Sequence, residues 1–78
     1  MTDYTPIDCG LHSEYELAIM HGDMLRLEWH DESCQPHIEP VKPLDLQAHN
    51  SEEFLLVETR EGEKLQIRLD RIVHKETI

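Results

Sequence analysis

The residues best placed to do chemistry in this sequence are carboxylates near its start. Asp3, Asp8, Glu14, Glu16 and Asp23 surround Tyr15 and Ser13. Ionised carboxylates accept strong hydrogen bonds from Arg and Lys, and two-pronged pairing with Arg adds geometric selection. A tyrosine among them offers a flat, rigid anchor of the kind frequent at interfaces. Such a face suits a groove built for phosphates and bases. The same acids have a plainer use as solubilising charge, and Glu14 and Glu16 would favour the positive end of a helix dipole. Tyr15 would then simply pack on the rest of the domain.

Two other sets carry less. Cys9-x-x-His12 and Cys34-x-x-His37 have ligand-like spacing for a tetrahedral zinc. Six histidines make such pairs common by chance, and the cysteines equally suit small apolar packing sites, so no metal is expected. For catalysis, the chain has no Gly-x-Ser-x-Gly, no phosphate-cradling loop and no His-Glu-x-x-His. Its three glycines, Gly10, Gly22 and Gly62, are far apart. A short chain also leaves little room for a pocket of the usual ~300 Å³. Neither enzymatic activity nor a cofactor is expected.

The chain has 78 residues, enough for one domain spanning 1–78. Its 17 acids and 7 bases give a net charge of -10. Residues 1–32 hold eight of the acids and one base, Arg26, so most of the negative field comes from the N-terminal part. A nucleic-acid binder needs surplus cations to displace counterions from phosphates, so direct RNA or DNA binding is excluded as an expectation. Anionic membrane surfaces are disfavoured for the same reason. No stretch approaches the ~20 apolar residues of a membrane span. Without a basic flank and apolar core at the N-terminus, export is not expected. The two cysteines are expected as reduced thiols in the cytoplasm, and the free protein as a monomer.

The elements that must position the acids follow from punctuation and period. Pro6 and Gly10 argue for an extended arm over 1–12. Ser13-Glu14-Tyr15-Glu16 has the form of a capping box, and Gly22 supplies a left-handed stop. A helix of about two turns is predicted within 13–22, too short to stand without packing. Strands fill 23–78. Leu25, Leu27 and Trp29 alternate with polar residues, and 30–33 reads as a turn. A return strand over 34–38 is followed by Pro36, Pro40 and Pro43, which predict an irregular or edge segment. Leu44, Leu46 and Ala48 alternate weakly before a turn at His49-Asn50-Ser51. Phe54–Val57 is an apolar run suited to a strand buried on both faces. Arg60–Glu63 makes a hairpin loop. From Lys64 the side chains of Leu65, Ile67 and Leu69 point inward and Gln66 and Arg68 outward, with Ile72 and Val73 in a last strand. One short N-terminal helix and five to six short strands make a mainly β fold, a small open barrel or sandwich.

Several segments resemble one known family. Tyr4-Thr5-Pro6-Ile7-Asp8-Cys9, Glu16-Leu17-Ala18 and Met24-Leu25-Arg26-Leu27-Glu28 are similar to the N-terminal half of the Rof (YaeO) proteins. Phe54-Leu55-Leu56-Val57-Glu58, the Gly62 hairpin and Arg68-Leu69-Asp70-Arg71-Ile72 follow the C-terminal half. The resemblance implies an Sm-like open barrel or sandwich. It also implies a role as inhibitor of the transcription termination factor Rho, bound at its N-terminal RNA-binding domain, an OB-fold. Carried over by position, Glu16 is the first expected Rho contact, then Asp8, Glu14 and Tyr15, then Asp3, Ser13 and Asp23. The residue pattern alone leaves two alternatives open: an acidic regulator of another nucleic-acid-binding protein, or a small zinc-stabilised domain.

Overall fold

A computed structural model describes residues 9–78. The helix α1 spans Cys9–His21 and is followed by five strands: β1 (Leu25–His30), β2 (Pro36–His49), β3 (Glu52–Thr59), β4 (Lys64–Arg68) and β5 (Ile72–Thr77). A short 3₁₀ turn, Leu69–Arg71, joins β4 to β5. All strand pairs are antiparallel, in one open sheet of order β4-β3-β2-β1-β5. The mainly β fold with one short helix is the expected one, with five strands. No helix among the described residues is long and apolar enough to cross a membrane.

One hydrophobic cluster holds the domain together. It takes Leu25, Leu27 and Trp29 from β1, Val41 from β2, Leu55 and Val57 from β3, Ile67 from β4 and Leu69 from the 3₁₀ turn, and closes against Tyr15 and Ala18 of α1. The alternation on β1 is as predicted, with Leu25, Leu27 and Trp29 buried. On β3, Leu55 and Val57 are fully buried, while Phe54 and Leu56 on the other face are only half-buried.

The proline-bearing stretch corrects one expectation. Residues 36–49 form a single continuous strand in the middle of the sheet, not an irregular segment between two strands. The reason lies in the register. Residues 36–41 of β2 pair with β1, and Val41 onward pairs with β3. Val41 is thus the only position in these registers with a neighbour on both sides. Pro36, Pro40 and Pro43 each have a strand on one side only, so the missing N–H removes no bond toward the empty side. A bulge between Pro43 and Asp45 bends the strand as it changes partner.

The helix corrects a second expectation. It is already helical at Cys9, so Gly10, Leu11 and His12 lie within it rather than in an extended arm. Ser13 therefore cannot cap, and Glu16 pairs with His12 instead of reaching back to a cap. A glycine within a helix costs at most about 1 kcal/mol against alanine, which packing of a longer helix overcomes. The C-terminal stop is as predicted. Gly22 has φ +70°, its N–H donates to the Ile19 carbonyl at 3.3 Å, and the Asp23 N–H donates to Ala18 at 3.0 Å. These are the two bonds of a Schellman cap.

A third correction concerns Arg68, which was expected to point outward. It is 9% exposed. Its guanidinium grips Asp70 with two bonds, Nε to Oδ1 at 2.6 Å and Nη2 to Oδ2 at 2.8 Å, and Nη1 reaches Glu52 at 3.4 Å. The sharp 3₁₀ turn after β4 brings Asp70 back beside Arg68. The clamp ties β3, β4 and the turn together. Period alone gives no hint of it.

Two of the hairpin turns fit their residues. Asn50 and Ser51 have φ of 50° and 66°, the double left-handed geometry that matches strand twist in a two-residue loop. In the β3–β4 hairpin, Gly62 at φ +87° donates to the Thr59 carbonyl at 3.0 Å.

Candidate protein-docking surface

Helix α1 decides where the acidic residues sit. Leu11, Tyr15 and Ala18 recur at helical spacing and form its inner stripe, with Ile19 half-buried beside them. Ser13, Glu14, Glu16, Leu17 and Met20 are exposed. Leu17 is 51% and Met20 77% exposed, so the crown of the helix is apolar between acidic shoulders. Glu14 and Glu16 are two residues apart, about 200° around the helix axis. They occupy opposite shoulders instead of forming one continuous patch.

Each shoulder is tied to the sheet. On one side Glu14 Oε1 accepts from Lys75 Nζ of β5 at 2.6 Å, and the same ammonium lies 6.0 Å from the Tyr15 ring centroid. On the other side, the His12 ring lies between two carboxylates, with Nδ1 2.9 Å from Glu16 Oε1 and Nε2 2.9 Å from Glu53 Oε2 of β3. Glu16 keeps 57% of its side chain exposed. Asp23, just past the helix, is 3.7 Å from His21 Nδ1 and 42% exposed. Pairs this exposed contribute at most about 1 kcal/mol each to stability. Their effect here is to orient the carboxylates.

Tyr15 corrects the expectation of a surface anchor. It is 1% exposed, among the largest fully buried side chains, and the plainer packing role is the one it plays. Burial, reinforced by the neighbouring Glu14 charge, pushes its phenol up to about 12 from 10.0. Ser13, Glu14, Glu16 and Asp23 remain at the surface as expected, while Asp3 and Asp8 lie outside the described residues.

A pH dependence follows from Tyr15. Its folded value lies above the unfolded one, so its contribution is full below pH 10 and is lost as pH rises toward 12. The loss across that window is up to about 2–3 kcal/mol. Denaturant unfolding at pH 8, 10 and 11 is expected to show the wild type losing stability faster than Tyr15→Phe. Parallel curves for the two proteins would contradict the assignment.

The second histidine pair is also engaged. His37 Nε2 lies 2.7 Å from Asp31 Oδ2, and its ring stacks on Trp29 at 5.2 Å between centroids and 14° between planes. The hydrogen bond from His37, with backbone N–H donation from Gln35 and Ser33, holds the Asp31 carboxyl below its ordinary range. Cys34 is exposed with a free thiol. Among the described residues, no group of three or more His, Cys, Asp or Glu could hold a metal. His12 and His37, the histidines of the two zinc-like spacings, each contact carboxylates, at different parts of the fold.

Sequence reasoning missed four participants in this surface, His12, Leu17, Met20 and Glu53. The i,i+4 spacing of His12 and Glu16 was available as a signal. Leu17 and Met20 were also legible as apolar residues off the stripe set by Leu11, Tyr15 and Ala18. Glu53, by contrast, is 41 residues from His12, and no local pattern joins them.

Relatives give the site a context. Protein rof of Escherichia coli (strain K12) is 40% identical over 70 residues, covering 88% of this chain and 76% of that protein. Protein rof of Shigella flexneri matches with the same figures. Among solved structures, the proteasome accessory factor B/C (PafBC) of Arthrobacter aurescens aligns with a TM-score of 0.80 at 20% identity, covering 97% of this chain. This chain spans only 12% of that one, and the likeness is one of fold. No family model matches. With relatives at this identity across most of both sequences, the chain belongs to the Rof family.

Proposed function

We propose that this protein is a non-enzymatic inhibitor of the termination factor Rho, docking α1 on the Rho N-terminal RNA-binding domain and blocking RNA loading. The observation that carries this reading is the outer face of α1. Glu16 is held by His12 yet stays 57% exposed, beside exposed Leu17 and Met20. Carboxylates there meet the cations of an RNA-binding groove, and the apolar crown meets the aromatic surface on which bases stack. Glu16 is the central contact, with Glu14, Ser13 and Asp23 around it and Asp3 and Asp8 preceding it. Tyr15 acts from inside by fixing the helix to the sheet. A net charge of -10 keeps the inhibitor itself off RNA. No cofactor is needed for a block of this kind.

The test is a titration of Rho with this protein against a labelled pyrimidine-rich oligonucleotide. Mutual exclusion is expected, with affinity for Rho falling at least several-fold between low and physiological salt as charge pairs are screened. Simultaneous, independent binding of protein and oligonucleotide would overturn the competitive mechanism. An affinity flat across salt would overturn the electrostatic one.

A further inference from the structure

The His12 ring joins two carboxylates through its opposite nitrogens. Nδ1 lies 2.9 Å from Glu16 Oε1, one turn along α1, and Nε2 lies 2.9 Å from Glu53 Oε2 on β3. An ionised carboxylate only accepts hydrogen bonds, and a neutral imidazole has one N–H and one lone pair. Both contacts are therefore hydrogen bonds only when both ring nitrogens carry protons. We propose that His12 is a proton-gated latch on Glu16: the imidazolium holds the Glu16 carboxylate against the ring, and loss of one ring proton frees it for docking. That Glu16 docks on Rho rests on the reading above, whereas the latch itself does not.

The two contacts are unequal, and this decides which one opens. With one proton gone, one nitrogen turns a lone pair toward a carboxylate, and the two repel. Glu53 is the better anchored partner, with 36% of its side chain exposed and a further interaction besides His12. Glu16 is 57% exposed, and among the described residues His12 is its one polar partner. The remaining N–H therefore stays on Glu53, and Glu16 turns away. The other charged group lining the cleft beside this ring is Asp45 of β2, and no Lys or Arg lines it. The imidazolium is thus the single cation next to Glu16 there. It cancels part of the Glu16 charge and occupies one of its oxygens. Its neutralisation restores the charge and leaves both oxygens open to two-pronged pairing with an arginine.

Two measurements on the full chain test this. Histidine is the side chain that ordinarily changes charge between pH 5 and 8, which sets the range to cover. In the first, NMR follows the His12 ring nitrogens and the Glu16 carboxyl carbon of the free protein from pH 8 to pH 5.5. Both nitrogens are expected to carry protons at the acid end, and the Glu16 carboxyl signal is expected to move in step with the ring. That step is expected to vanish in His12→Gln, whose amide has no titrating proton. A Glu16 signal that ignores the ring would overturn the latch. In the second, the Kd for the Rho RNA-binding domain is measured at pH 7.8 and 5.8 at fixed salt, for wild type and for His12→Gln, so that the effects of the remaining histidines cancel. Wild type is expected to lose about fivefold more affinity on acidification than His12→Gln, the effect of one unit charge at contact distance in water. If Rho binds and both proteins show the same pH profile, the gating of docking is overturned and the partner stands. If Rho does not bind but Glu16 follows the ring, the partner is overturned and the latch stands. If Rho does not bind and Glu16 ignores the ring, both fall.

Discussion

Glu16→Lys is expected to weaken Rho binding by about ten- to a hundredfold while the domain melts within a few degrees of wild type. The two halves of this expectation have different sources. For folding, Glu16 is 57% exposed and its pairing with His12 is an i,i+4 contact worth a few tenths of a kcal/mol. His12 also keeps Glu53 as a partner, so no buried group is stranded. For binding, the substitution replaces attraction with like-charge repulsion opposite a cationic groove, a change of several kcal/mol at close range. Glu16→Gln removes the attraction without adding repulsion and belongs between the two. The measurement is the Kd for Rho at fixed salt, beside a thermal melt and a Rho-dependent termination assay. Wild-type affinity for Glu16→Lys would remove Glu16 from the docking surface.

Tyr15→Ala carries the largest expected loss of stability. Truncating a fully buried aromatic costs about 3–5 kcal/mol. A domain of this size has roughly 4–12 kcal/mol in all. The melting temperature is therefore expected to fall by more than about 10 °C, and the variant is expected to be partly unfolded at 37 °C. The cavity would open where α1 meets the sheet, in the core cluster that Tyr15 shares with the strands. Rho binding should fall with it, because the helix face loses its fixed position. Tyr15→Phe keeps the ring and is expected to bind as wild type. Thermal melts of the three proteins decide this, and a Tyr15→Ala domain that melts like wild type would show that the helix is held by something else.

The parts of this protein legible from sequence are those governed by local rules. Alternation at Leu25, Leu27 and Trp29 needs only the two-residue period of a strand. Gly22 and the Asn50-Ser51 turn follow from the φ values those positions require. The net charge depends on composition alone. The family resemblance adds order and spacing along the whole chain, and the Rof relatives support it.

Tertiary structure decided what depends on residues far apart in the chain. Three prolines fit a central strand because β2 exchanges one neighbour for another at Val41, and register is not written in any short window. Tyr15 looked like a surface anchor because acids flank it, yet the helical turn carries it to the core while those acids go outward. Arg68 alternates as if solvated, and the return of Asp70, with Glu52 also in reach, makes its burial tolerable. His12 meets Glu53 because α1 lies against the sheet. Sequence determined the charge, the periods and the stops. The fold alone decided which residues far apart in the chain meet, because meeting is a matter of distance in space.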